Sequence, residues 1–169
     1  MTTRSARDQE RTRQAELDRL RILDTPPEPQ FDDLARLAAT VCAAPIALIS
    51  LLDRDRQWFK AHIGLQTRET PRGYAFCEHA IRQPEQVTIV SDATQDERFA
   101  ANPLVTAAPR IRFYAGAPLV SAGQALGTLC TIDSAPRRGL DAWQLDTLQF
   151  LAGQVVVRLE ERRRALDPA

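Results

Sequence analysis

The stretch PIALISLLDRDRQWFKAHI, residues 45–63, constrains this chain more than any other. Its first half puts apolar side chains on both sides of an extended backbone. A strand made from it needs cover above and below, as in the middle of a sheet. The charged turn DRDR follows. Trp58, Lys60 and His62 then alternate with Phe59, Ala61 and Ile63, the period of two of a strand returning beside the first.

Two helices precede this hairpin. Residues 6–23 form a charged helix with Leu17, Leu20 and Leu23 on a narrow apolar stripe, and the prolines of DTPPEPQ stop it. A second helix runs from about Phe31 to Ala43, with Phe31, Leu34, Leu37, Ala38 and Val41 on one side and Asp32 and Asp33 in its electropositive first turn. Downstream, QVTIV reads as a short strand, and IRFYAGAPLVS with QALGTLCTID as a second hairpin around Ala122-Gly123, Pro118 marking a bulge or an edge. A long helix spans 141–165. Its residues Leu145, Leu148, Ala152, Val155 and Leu159 step by three and four, a coiled-coil-like seam and a candidate dimer interface. Packing of that seam on the N-terminal helix accounts for it equally well. Hairpins flanked by helices indicate an α+β fold on an antiparallel sheet, and no GxGxxG or GxxxxGK[ST] supports a parallel nucleotide-binding one.

Lysine plus arginine and aspartate plus glutamate both total 22, so the net charge is zero and no nucleic-acid or anionic-membrane partner is expected. Lys60 is the single lysine; the arginines crowd both ends among acids, the pattern of a solvated, ion-paired helix face. Three well-separated cysteines and no apolar leader point to reduced thiols in a cytoplasm. The longest apolar run is too short to cross a bilayer.

Cys77-Glu78-His79 places a thiol, a carboxylate and an imidazole side by side. On a helix, residues two apart point about 200° away from each other, so Cys77 and His79 do not form a nucleophile–base pair by spacing. Cys77 shares a face with Phe76, Ala80 and Ile81 and is expected against the sheet. Glu78 and Arg82 stand in the favourable acid-first order of a solvent-side pair. Two histidines without a recognised ligand spacing give no metal site, and no GxSxG marks a serine nucleophile. Between the strands lies the long segment SDATQDERFAANPLVTAAPRI. Thr94 and Glu97 have capping-box spacing for a short helix that Asn102-Pro103 would end. Connections of this length are often lids. With the 75–82 helix, this one would roof one face of the sheet over a small-molecule pocket. Candidate lining residues are Trp58, Phe76, Cys77, Phe99, Phe113 and Thr128, with Arg98 as a polar anchor beside Asp92. Core packing for the former, and an ion pair of Arg98 with Asp92 or Asp96, account for them as well.

The strings RLRILDTPPEPQFDDLARLAATVCAAPIALISLLDRDRQWFKAHIGL, ETPRGYAFCEHAI, SDATQDERFAANPLV and IRFYAGAPLVSAGQALGTLCTID, in this order, resemble a bacterial sensory GAF domain of the kind found upstream of diguanylate cyclases and histidine kinases. The resemblance implies an antiparallel sheet of five to six strands with flanking helices, the terminal helices packed together and often dimerising, and a ligand between the sheet and its roof. Five strands are legible here; a sixth is expected near 103–107. The Asn-Lys…Phe…Asp-Glu motif of cyclic-nucleotide-binding members is missing. Cys77 falls near a cysteine of the free methionine-(R)-sulfoxide reductases, but TAAPR stands where those enzymes carry their catalytic cysteine. Cys77-Glu78-His79 is a loose echo of bilin-tethering relatives. No cofactor is singled out.

The expected organisation is a charged helix and linker over 1–24, one GAF domain over 25–160 and a helix end with tail over 161–169. The expected role is a non-catalytic, ligand-sensing signalling module that acts through its terminal helices on a separate effector or in a homodimer. Its rivals are a ligand-free interaction module and a thiol-dependent reductase using Cys77.

Overall fold

The computed structural model describes residues 4–167; residues 1–3 of the expected N-terminal segment and 168–169 of the expected tail lie outside the described residues. Helices α1 (Ala6–Arg19) and α2 (Pro29–Val41) lead into strands β1 (Ile46–Leu52), β2 (Arg56–Ile63) and β3 (Glu69–Pro71). One helical turn, α3 (Cys77–Ala80), precedes strand β4 (Thr88–Val90), and another, α4 (Pro103–Thr106), precedes the hairpin of β5 (Phe113–Ser121) and β6 (Gln124–Asp133). Helix α5 (Ala142–Leu166) closes the chain and takes in most of the expected tail. All strand pairs are antiparallel, in the order β3-β2-β1-β6-β5-β4.

The doubly apolar β1 lies between β2 and β6, in the middle of the sheet. One face is covered by α1, α2 and α5: Leu17, Leu20, Phe31, Ala35 and Ala38 meet Ala47, Ile49, Leu51, Trp58, Phe113 and Leu129. The other face is covered only by short elements and loops, where Leu48, Phe59, Tyr114, Cys130 and Ile132 pack with Phe76, Phe99, Val105 and Ile111. The β5–β6 turn has positive φ at both Ala122 and Gly123, the geometry that matches the twist of a two-residue hairpin. Pro118 sits where β5 has run past its pairing with β4 at Gly116, one residue before a register shift at Leu119/Val120.

Several local expectations are corrected. The sixth strand is β3, whereas 103–106 is a helical turn. The turn at Ala93–Gln95 is capped by the Asp92 carboxylate, which accepts from the Thr94 amide, and Asn102 starts α4 rather than ending a helix. On α2 the buried face is Phe31, Leu34, Ala35, Ala38 and Ala39, with Leu37 turned to solvent. A register shift at Ile49/Ser50 leaves Lys60 without a partner residue on β1. The alternation along β2 breaks there, and Ala61 joins Trp58 on the helix-covered side. Lys60 reaches Glu28 (2.6 Å), Thr25 Oγ1 (2.8 Å) and the Pro26 carbonyl (2.6 Å).

The charged α1 is a docked element rather than a solvated one. Arg13, Gln14 and Glu16 are buried. The Arg13 guanidinium donates to the Leu52 carbonyl (2.7 Å) while paired with Glu10, and Gln14 Nε2 donates to Asp53 in the β1–β2 turn (2.8 Å). Glu16 accepts from Ser121 (2.8 Å) at the β5–β6 turn. The α5 seam is likewise internal. Leu148, Ala152, Val155 and Leu159 are buried in the core and Leu145 is half-buried, because the stripe must cover β5 and α2 before it can meet a second copy.

The centre of the sheet leaves no room at Gly127: a Cβ there would stand 1.9 Å from the Ser50 carbonyl oxygen of β1. Gly127→Ala is therefore expected to force the two central strands apart and cost about 3 kcal/mol or more, seen as a lowered urea midpoint.

Candidate functional site

The thinly covered face holds a cavity of about 210 Å³. Its floor is Ile46 and Leu48 of β1, Gln57 and Phe59 of β2, Tyr114 of β5 and Ile132 of β6. Its roof is Leu65, Thr67 and Thr70 from the β2–β3 segment, Phe76, and Leu104, Ala108, Pro109 and Ile111 from the crossover. Thr67 and Ala108 are exposed, so the mouth opens between these two roof segments. The crossover does serve as a roof, but the 64–70 segment supplies three further roof residues. Its residues lack a sequence signal, because they form only one short edge strand.

A chain of polar side chains lines one wall. Gln57 Oε1 accepts from Ser50 Oγ (2.8 Å) and Cys77 Sγ (3.0 Å), and Gln57 Nε2 donates to Thr70 Oγ1 (2.9 Å). Behind it, Tyr114 Oη and Thr128 Oγ1 are 3.1 Å apart. Gly116 makes room for that tyrosine, since a Cβ would stand 2.3 Å from its hydroxyl. Phe76 is held over the cavity by stacking on Phe99 (centroids 4.0 Å apart), which meets His79 in a T-shaped contact.

Of the residues expected to line the site, Phe76 does so directly. Phe99 and Thr128 support it from behind, and Cys77 touches it only through Gln57. Trp58 and Phe113 point to the opposite face, where the helices cover them. Arg98 pairs with Asp96 (2.7 Å) at the surface, and Asp92 caps its turn, so neither reaches the cavity. The strand bulge and the roof supplied by 64–70 are long-range outcomes. Gln57 carried no distinguishing signal in a strand that also holds Arg56, Lys60 and His62.

The thiols are chemically quiet. Cys77 has no exposed surface, and burial pushes its pKa up to about 11; Cys130 is pushed up to about 12 for the same reason. The thiolate, not the thiol, is the nucleophile, so neither is poised for attack at neutral pH. Burial lowers the His79 pKa, aided by Arg82 and Arg98. Glu78 turns to Arg72 (2.8 Å), its Arg82 contact being longer (3.8 Å). Among the described residues no group of three or more His, Cys, Asp or Glu is placed to hold a metal, and no helix is long and apolar enough to cross a membrane.

The GAF domain family model matches residues 26–159. The chain belongs to the GAF domain family. This GAF domain is 44% identical over 164 residues to a cyclic di-GMP phosphodiesterase of Pseudomonas aeruginosa, covering 96% of the present chain but 28% of that relative's length. Its fold resembles the GAF domain of an Acinetobacter phosphoenolpyruvate-protein phosphotransferase (TM-score 0.65, 18% identity, 92% and 98% of the two chains). It also resembles a type II free methionine-R-sulfoxide reductase of Thermoplasma acidophilum (TM-score 0.62, 11% identity, 91% and 96%) and the PixJ GAF domain of Thermosynechococcus elongatus (TM-score 0.63, 18% identity, 90% and 88%). At such identities the likeness concerns the fold alone.

For the thiols the expected outcome is that Cys77 resists iodoacetamide in the folded protein at pH 8 and reacts once denaturant unfolds it. The ordinary thiol value is 9.0 and the folded Cys77 value about 11, so below pH 9 both states hold the proton and stability is level. Between pH 9 and 11 the unfolded state loses its proton first, and stability falls with rising pH by about 1.4 kcal/mol per pH unit for this thiol. Alkaline denaturation curves at fixed temperature check it.

Proposed function

We propose that this GAF domain is a non-catalytic cytoplasmic sensor whose cavity takes a small molecule and whose terminal helices pass the occupancy on. The observation that carries the reading is the cavity itself: apolar, opening at one seam of its roof, and faced by a polar wall whose nearby Cys77 thiol is buried and protonated. Pockets of this construction are the usual place for ligands.

A mechanical path leads away from it. Arg72 follows the roof strand β3 and donates to Glu10 of α1 (2.7 Å), to Glu78 of α3 (2.8 Å) and to the Asp53 carbonyl (3.0 Å). Helix α1 is in turn fastened to α5 through Arg19 and Glu160 (2.5 Å) and Arg163 and the Arg19 carbonyl (2.7 Å). A guest that shifts the roof therefore pulls on both terminal helices. The name of the Pseudomonas aeruginosa relative supports an effector that turns over cyclic di-GMP, acting as the regulated partner. Native mass spectrometry of protein purified from its own host is expected to show a bound small molecule, and Leu104→Trp, which fills the cavity, to abolish it. A clean apo mass with no thermal stabilisation by candidate ligands would refute the sensing role.

A second reading, an interaction module or homodimer, is favoured by the outer face of α5. There Trp143, Phe150 and Val157 are 57%, 64% and 41% exposed at seven-residue spacing, the repeat of a coiled-coil seam. This stripe replaces the buried Leu148 face as the candidate contact between copies. Phe150→Glu is expected to convert a dimer to a monomer in sedimentation without loss of helix content. A monomeric mass both before and after removes the homodimer.

A further inference from the structure

We infer that the guest is an uncharged, mainly apolar molecule of about one ring, carrying a single hydroxyl or carbonyl that meets Gln57 and Thr70. The inference rests on the sensing reading of the same cavity and adds the chemistry of its ligand.

Charge is the first constraint. None of the fourteen residues around the cavity is ionisable at neutral pH, Tyr114 included, since burial holds its phenol well above the ordinary value. Arg68 and Arg110, beside the lining residues Thr67 and Pro109, are exposed, and Arg112 donates to the carbonyls of Val105 and Ile111 and so spends its charge on the roof backbone. An anion, cation or zwitterion entering here would lose its hydration without gaining a counter-charge, and that loss outweighs what apolar contact returns.

Size is the second. An engineered cavity of about 150 Å³ holds benzene, and drug-sized ligands occupy roughly 300–1,000 Å³. At about 210 Å³ this one takes a ring with a substituent or two. A cyclic dinucleotide or a linear tetrapyrrole is both too large and, through its phosphates or propionates, charged.

The polar wall sets the third. Gln57 Oε1 is engaged twice from below by Ser50 and Cys77, which fixes the amide so that Nε2 points toward Thr70. One Nε2 hydrogen goes to Thr70 Oγ1, and the second, together with the Thr70 hydroxyl hydrogen, has no protein acceptor among the described contacts. Two donors side by side at the edge of an apolar cavity select an acceptor oxygen on the guest. Apart from Thr67 at the exposed mouth and Tyr114, whose hydroxyl lies 3.1 Å from Thr128 Oγ1, the other lining side chains are hydrocarbon, including the rings of Phe59 and Phe76.

Four probes of one ring separate the alternatives in the intact protein: p-cresol, toluene, benzoate and benzylammonium, followed by titration calorimetry and by methyl shifts of Leu48 and Ile111. We expect p-cresol to bind about ten-fold more tightly than toluene, the worth of one neutral hydrogen bond. Both ions should bind at least a hundred-fold more weakly than p-cresol. Thr70→Val should bring p-cresol and toluene to near parity while Thr70→Ser preserves the difference; the wild-type series decides the matter even if Thr70→Val does not fold. Tighter binding of benzoate or benzylammonium than of p-cresol overturns the neutral-guest inference and leaves the sensing role standing. Binding of none of the four also overturns it, and the sensing role falls with it only if the host-purified protein carries no guest.

Discussion

The structure depends on one requirement: β1 and β6, the two strands at the centre of the sheet, carry apolar side chains on both faces, so both faces must be covered. The two sides meet this requirement unequally. Long helices α2 and α5 close one face with large side chains. The other receives two single-turn helices and the loops between them, which cannot interdigitate as densely as helices do. The cavity is the remainder. It lies over Leu48, Phe59, Tyr114 and Ile132, where the strands present apolar surface and the roof bridges rather than fills.

The charged residues gain their structural meaning from the same geometry. A sheet this thin at one end would leave the β1–β2 turn and the last carbonyls of β1 poorly satisfied. Arg13 and Gln14 of α1 bind there instead, and Arg56 joins Asp53, Asp24 and Glu69 around the turn. Arginine suits this work because its planar fork can donate to a carboxylate and a carbonyl together, as Arg72 does between Glu10 and the Asp53 carbonyl. Glu10 shows the electrostatic result: hydrogen bonds from Arg13 and Arg72 hold its pKa down at about 2 despite partial burial. The roof of the cavity and the first helix are thus parts of one bonded network.

The shared fold does not carry chemistry with it. A reductase and a blue-light-absorbing GAF domain share this fold, yet here the Cys77 thiol faces Gln57 and Ser50 inside the protein, and burial keeps it protonated. What distinguishes one such domain from another is the set of groups around the cavity and the elements that seal it.

Much of the architecture could be read directly. The covered central strand, the two hairpins, the tight turn at Ala122-Gly123 and the long amphipathic helix follow from apolar periodicity and turn chemistry, which are local properties. The site was less legible. Phe76 lines the cavity, whereas Trp58 and Phe113 lie on the far face and Arg98 stays with Asp96. The bulge at Lys60 is the physical reason for part of this, since one unpaired residue changes which side chains share a face. Sequence by itself determined which segments extend, which coil and which strand had to be central, because backbone sterics and burial patterns act over a few neighbouring residues. Only the tertiary structure decided that the leucine seam of α5 turns inward, that the charged first helix docks, and that Gln57 meets Thr70 at a cavity wall. Each depends on which distant segment arrives to cover a surface, and no local pattern of residues encodes that.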